Sequence, residues 1–310
     1  MPMSRRKPSK TRFHTSLKEC KQIVLAAIET GRGVPARFFF VLRCANTMRV
    51  GFLQFAPVFG DIKRNLDHVV ARLERVEADL IVLPELFASG YQFVSQQEVH
   101  DLSEPVPDGP TTKRLGDFAQ SRGMTIVAGL PERSGNRYFN SAVIVGSSGF
   151  IGCYRKTHLF FEETLFFTPG DTGFHVWDIG AAKLGVMVCF DWFYPEAART
   201  LALKGAEVIA HPSNLVLPHC PEAMVTRCLE NRVFGVTANR TGSEARGGKS
   251  PLTFIGQSEI VTPRGQILHR AGRDQDELTI VEIEPAEARS KRLNQYNDLF
   301  EDRRSSFYHR

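Results

Sequence analysis

The chain has 310 residues, 42% of them hydrophobic and 24% charged, which suits one large folded domain or two small ones and excludes global disorder. Its net charge of +5 is unevenly spread: residues 1–47 hold ten Lys/Arg against two Glu, or +8, so the other 263 residues carry 5 − 8 = −3. That balance gives the body no basic face for nucleic acid, and no apolar run approaches the roughly 20 residues that span a bilayer.

The six cysteines are irregularly spaced and none forms a CxxC pair. This argues against a disulfide framework or a four-cysteine zinc site and for a reducing, cytoplasmic compartment. Residues 1–47 are basic and begin in a signal-like way at Arg5-Arg-Lys7, but they lack a continuous apolar stretch and a small-residue cleavage site. They are read as an extension outside the folded unit. A dispensable leader, an upstream start with the body beginning at Met48, and a transit-type peptide all fit.

The body, residues 48–310, shows no repeat, low-complexity run or long linker and is read as one domain. Val50–Ala56 forms a buried strand, and Asp61 caps a helix whose apolar positions Ile62, Leu66, Val69, Val70, Leu73 and Val76 keep helical spacing. A second buried strand, Asp79–Leu83, stops at Pro84. A helix starts at Pro110 and stops at Gly123. Short strands follow at Thr125–Leu130, Ala142–Val145 and Phe150–Tyr154, with Ser148-Gly149 as the turn between the last two. Ala182–Cys189 is another apolar strand. Beyond it come a helix at Pro195–Leu203, a strand at Glu207–His211, a helix at Pro221–Arg232 and a strand at Val233–Ala238. Phe254–Val261 and Leu278–Ile283 complete the set, with a turn at Pro263-Arg-Gly265. By pattern alone this is an α/β (α+β) chain with a mixed sheet and helices on one face.

Three segments carry one reactive side chain each in apolar surroundings: Leu83-Pro-Glu85-Leu-Phe-Ala-Ser-Gly-Tyr91, Tyr154-Arg-Lys156-Thr-His-Leu-Phe160 and Gly185-Val-Met-Val-Cys189-Phe-Asp-Trp-Phe-Tyr-Pro-Glu196. Each has an ordinary reading. Cys189 suits an inert core thiol, Glu85 a surface carboxylate at a helix entry, and Lys156 a solvated lysine. All three, however, sit at the C-terminal ends of predicted strands, the edge where α/β sheets collect ligands and reactions. There the three side chains amount to a nucleophile, a base whose pKa burial raises, and an ammonium that stabilises developing negative charge.

These motifs, in this order, resemble the Glu, Lys and Cys signatures of the nitrilase superfamily, the carbon–nitrogen hydrolases, and within it the short single-domain archaeal and bacterial nitrilases. The likeness extends over nearly all of residues 48–310 and includes Gln54-Phe-Ala-Pro57, Phe166-Phe-Thr-Pro-Gly170 and Lys291-Arg-Leu-Asn294. It implies a four-layer α-β-β-α sandwich and a homodimer or larger assembly paired through helices. It also implies a second glutamate that holds Lys156 and Glu85. Glu163 matches the family spacing better than Glu162; a solvated acidic turn is the other reading. Asn214, in His211-Pro-Ser-Asn214, becomes a substrate contact or a structural turn residue, and Trp192 and Phe193 become pocket walls or simple core.

The implied activity is thiol-dependent hydrolysis of a non-peptide C–N bond in a small aliphatic nitrile, through a Cys189 thioester, with Lys156 and the Phe190 N–H meeting the anionic intermediate and no metal or organic cofactor. An amidase acting on ω-amides or N-carbamoyl compounds would use the same residues. Rival chemistries are a Cys–His hydrolase using His158 or His211, a zinc hydrolase, for which the chain lacks HExxH, and an idle homologue that binds a ligand or partner protein. The short loop after Phe160 predicts an open or modest pocket.

Overall fold

The computed structural model describes residues 47–308. The basic leader therefore lies outside the described residues, apart from Thr47.

Two sheets, rather than one, organise the body. The first has six strands: β1 (Met48–Gln54), β2 (Leu80–Val82), β3 (Thr125–Ser134), β4 (Arg137–Gly146), β5 (Gly149–Arg155) and β14 (Glu277–Ile283), in the order β14-β1-β2-β3-β4-β5. The second orders β13 (Ile267–Arg270), β12 (Glu259–Val261), β9 (Phe234–Ala238), β8 (Val208–Pro212), β7 (Lys183–Val186) and β6 (Val176–Asp178). Short strands β10 (Ser243–Glu244) and β11 (Leu252–Thr253) pair separately. In each large sheet the central strands run parallel, β1/β2/β3 and β7/β8/β9, and the flanking pairs are antiparallel.

The inner faces of the sheets share one core. Val50, Phe52, Val82, Val127 and Ile144 of the first meet Leu184, Val186, Val208, Ala210 and Val236 of the second. On the outer face of the first sheet, helices α1 (Ile62–Leu73) and α3 (Pro110–Arg122) lay Leu66, Val69, Leu73, Leu115 and Ala119 against Ile81, Ile126, Ala128 and Val143. Helices α5 (Pro195–Leu203) and α6 (Cys220–Asn231) cover the other sheet with Ala198, Leu201, Met224 and Cys228. The layers are thus helix, sheet, sheet, helix. The single sheet read from strand spacing is corrected for a physical reason. Every central strand is buried on both faces, by helices on one and by the opposing sheet on the other, and such strands read alike whichever sheet they join.

Local signals set the helix ends. The Asp61 side chain accepts from the Arg64 N–H at 3.1 Å, capping α1. Pro110 opens α3, and Gly123 closes it at φ +64°, a left-handed conformation that glycine adopts without steric cost. A short helix α2 (Gln96–Leu102), capped by Ser95, and a single turn α4 (Glu163–Phe166) were not predicted, and neither were the edge strands β6 and β13. The predicted strand at Phe254–Val261 shrinks to its last three residues. Ahead of them Gln257 has φ +56°, and the Ser258 N–H bonds the Gln54 side chain rather than a neighbouring strand.

Among the described residues no helix is long and apolar enough to cross a membrane.

Candidate active site

Glu85 stands just past the end of β2, beyond Pro84. β5 is antiparallel to β4, which is antiparallel to β3, so β5 runs in the direction of β2 and delivers Lys156 to the same sheet edge. Close packing fixes the Glu85 backbone there. A Cβ built on Gly129 of β3 would lie 2.5 Å from Glu85 Cα, so only glycine permits this approach.

Cys189 is not at a strand end, as its apolar run suggested. β7 stops at Val186, and Cys189 opens a 3₁₀ turn, Cys189–Phe193, with φ +42°. A non-glycine residue held there costs of order 1–3 kcal/mol, a strain the surroundings must impose. Asp191 does part of this. Its buried carboxylate accepts from the Val188 N–H at 2.9 Å, the Tyr154 hydroxyl at 2.8 Å and the His158 N–H at 3.2 Å, with His158 Nδ1 at 2.7 Å. One side chain thereby ties the segment that carries Lys156 to the turn that carries Cys189.

The three charged groups meet in full burial. Lys156 Nζ donates to Glu85 Oε1 and to Glu163 Oε1, each at 2.7 Å. The Asn140 amide donates to Glu85 Oε1 at 2.6 Å, and the Tyr91 hydroxyl to Glu163 Oε1 at 2.7 Å. Glu163 is thus the glutamate beside the lysine, whereas Glu162 pairs with Lys249 at 2.7 Å. The second Glu85 oxygen, Oε2, is buried and has no hydrogen-bond partner.

Burial, reinforced by the Glu163 charge, raises the Glu85 carboxyl to about 7 against the pull of Lys156 and Asn140. Burial opposes the Lys156 charge, but Glu163 and Glu85 outweigh it and hold the ammonium protonated beyond its ordinary range. The Cys189 thiol is pushed well up, by burial first and then by the Glu85 charge; Lys156 and a hydrogen bond from the Asn214 main-chain N–H act the other way. The resting site therefore holds a neutral thiol, a charged ammonium and a carboxyl poised near neutral pH.

Lys156→Met leaves Glu85 and Glu163 buried without a cation. It is expected to lower stability by about 3–5 kcal/mol. The loss should appear as a reduced urea midpoint at pH 8 and shrink at pH 5, where the Glu85 carboxyl takes a proton.

A cavity of ≈ 20 Å³ opens beside the thiol, lined by Phe160, Cys189, Phe190, Trp192 and Asn214 with Leu215, Val216 and Leu217. It has room for about one water-sized group, which is the modest end of the open or modest pocket expected from the short loop. Phe190, Trp192 and Asn214 all line it; Phe193, 52% exposed, does not. Both amide atoms of Asn214 are buried without partners. A larger cavity of ≈ 340 Å³ lies at the opposite ends of β7 and β8; in its lining Glu207 pairs with Arg289, and Lys291 bonds the Asn231 and Arg232 carbonyls. Among the described residues no cluster of three or more His, Cys, Asp or Glu side chains is placed to hold a metal ion.

Sequence reasoning missed Asn140, Tyr91 and Asp191 as parts of this site, and it weighed His211 only as the base of a rival Cys–His hydrolase. Asn140 left no signal, because it lies in β4 ahead of the strand read at Ala142–Val145. Asp191 and Tyr91 lay within the quoted motifs without a role.

A buried thiol beside a salt-bridged ammonium and a carboxylate with a free oxygen is the equipment of a hydrolase that works through a covalent sulfur bond. The family model for carbon-nitrogen hydrolases matches residues 49–293, and the chain belongs to that family. A nitrilase of Pyrococcus abyssi is 48% identical over 266 residues, 85% of this chain and 100% of that protein. The crystal structure of a carbon-nitrogen hydrolase from Helicobacter pylori G27 superposes with a TM-score of 0.76 at 31% identity, covering 84% of this chain and 97% of the other. A variant of the amidase from Nesterenkonia sp. AN1, showing covalent addition of the acetamide moiety of fluoroacetamide at its active site cysteine, gives 0.69 at 28% identity, with 84% and 95% covered. The protein is a carbon–nitrogen hydrolase with nitrilase and amidase relatives.

Proposed function

We propose that the chain hydrolyses a small aliphatic nitrile to a carboxylic acid and ammonia through a thioester on Cys189. The observation that carries this reading is the unpartnered, buried Oε2 of Glu85 in a site whose other Glu85 oxygen is fixed by Lys156 and Asn140. Such an oxygen is an orphan acceptor awaiting a proton.

In this reading Glu85 takes the thiol proton as sulfur attacks the nitrile carbon. Negative charge gathers on nitrogen, where Lys156 and the Phe190 N–H meet it, and Glu85 returns the proton to give a thioimidate. Preorganised donors of this kind are each worth roughly 10²–10³ in rate. Glu85 then activates a water that adds to the same carbon; both protons of that water pass through Glu85 to the nitrogen, which leaves as ammonia, and the water's oxygen remains as the carbonyl of the thioester. A second water, activated the same way, frees the acid and restores the thiol. Glu163, held by Tyr91, keeps Lys156 charged and Glu85 in place. Phe190, Trp192 and Asn214 bound the acyl group. The narrow cavity favours a short, linear nitrile, and the high identity to a nitrilase over that protein's full length supports the choice.

The second reading is an amidase, favoured by the likeness to the Nesterenkonia enzyme. It uses the same residues and one water fewer. Ammonia release from a panel of aliphatic nitriles, dinitriles, ω-amides and N-carbamoyl compounds decides between them. Turnover of nitriles is expected; turnover of amides with none of nitriles selects the second reading.

The same proposal places the protein in a reducing cytoplasm and in a homodimer or larger assembly. In support, Leu203 on α5 and Leu229 on α6 are exposed on the helix layer through which two copies would pair.

A further inference from the structure

His211 sits at the end of β8, wholly buried and next to the reactive turn. Its ring does not bond the sulfur. Nε2 lies 2.9 Å from the carbonyl oxygen of Cys189, and Nδ1 lies 3.1 Å from the Thr237 hydroxyl on the neighbouring strand β9. A carbonyl only accepts, so Nε2 carries the hydrogen and the Thr237 hydroxyl donates to Nδ1. Burial pulls the imidazole down to about 4, so the ring stays neutral and keeps this tautomer near neutral pH. The Ser213 hydroxyl, 3.2 Å from Nε2, is the remaining polar neighbour of the ring.

The peptide that follows Cys189 is planar, and a trans peptide holds its C=O and the next N–H on opposite edges. Anchoring the Cys189 carbonyl from one side therefore turns the Phe190 N–H to the other side, where Cys189 and Phe190 line the cavity. That N–H forms no hydrogen bond among the described residues. Without the anchor the peptide could rotate, because Cys189 is held at a positive φ that its own sterics disfavour.

We infer that His211, oriented by Thr237, is a positioning residue that fixes the plane of the Cys189–Phe190 peptide and so aims the Phe190 N–H at the charge developing on the substrate. This rests on the proposed Cys189 chemistry and assigns His211 no proton transfer.

The test compares two reactions of one thiol. Alkylation by iodoacetamide displaces iodide from carbon and builds no anion beside the Phe190 N–H, whereas turnover does. His211→Leu is expected to lower kcat on the best substrate of the panel by about 10²-fold, the usual cost of one oxyanion donor, with KM little changed. Cys189 should still be alkylated near the wild-type rate. His211→Gln, whose amide N–H reaches the same carbonyl, should recover most of the loss. Wild-type kcat in His211→Leu overturns the inference, and so does alkylation slowed in proportion to turnover, which would place His211 on the sulfur. Should His211→Leu fail to fold, Thr237→Val decides: reduced kcat with intact alkylation supports the role, and unchanged kcat overturns it. A Cys189→Ala control separates the two levels. Activity surviving there defeats the thioester chemistry itself, while full activity in His211→Leu beside a dead Cys189→Ala defeats only the positioning role.

Discussion

Cys189→Ala is expected to lower turnover by on the order of 10⁴–10⁶, the scale on which hydrolases lose rate when their nucleophile is removed. The fold should survive, because the exchange deletes one sulfur from a site whose strongest bonds run between other groups. Lys156, Glu85, Glu163, Asn140 and Tyr91 hold one another without the thiol. A thermal midpoint near wild type, together with lost ammonia release, is the expected pair of results. Mass spectrometry adds a positive readout. Wild-type protein quenched in acid during turnover should carry an acyl mass on the peptide containing residue 189, and the alanine variant should not. Full turnover by the variant would end the covalent reading, whatever the substrate.

How much of this was visible in the sequence follows from what burial does to strands. β2 and β8 read as unbroken apolar runs, Leu80-Ile-Val-Leu83 and Val208-Ile-Ala210, because both faces of each are covered. Helices α1, α3 and α5 announced themselves by caps and prolines at or near their ends. Edge strand β13 did not, since Ile267 and Leu268 are both about 40% exposed and show no alternation. Cys189 was legible as reactive but not as strained. Its apolar run continues the strand pattern through Val188, and only the folded Asp191 carboxylate, bonded to the Val188 N–H, shows why the strand has already ended. Asn140 and Glu85 are 55 residues apart in the chain, and His211 meets Cys189 across 22. No local pattern encodes such pairs. The resemblance to a family conveyed the two-sheet architecture, which strand spacing by itself misread as one sheet.

Glu85→Gln should remove nearly all activity and at the same time alter how stability depends on pH. The carboxyl must be ionised to accept the thiol proton, and burial raises it from an ordinary 4.5 to about 7. The wild-type kcat/KM should therefore rise as pH increases through about 7 and level off above it. The thiol cannot be the source of that limb, because burial and the Glu85 charge push its own ionisation above 9. Stability runs the opposite way. The folded carboxyl holds its proton more tightly than the unfolded one, so the group's contribution is complete below pH 4.5 and is lost as pH rises through about 7. A displacement from 4.5 to 7 corresponds to about 3 kcal/mol between those limits. Glutamine has no such titration and can still offer an oxygen to Lys156 and Asn140. The variant should therefore gain stability relative to wild type between pH 5 and pH 8, by up to that amount less whatever a weaker Lys156 contact removes. Urea unfolding of both proteins at the two pH values measures the difference, and ammonia release across the same range measures the limb. A wild-type rate flat from pH 6 to 8, or a glutamine variant that keeps the rising limb, would remove Glu85 from the role of base.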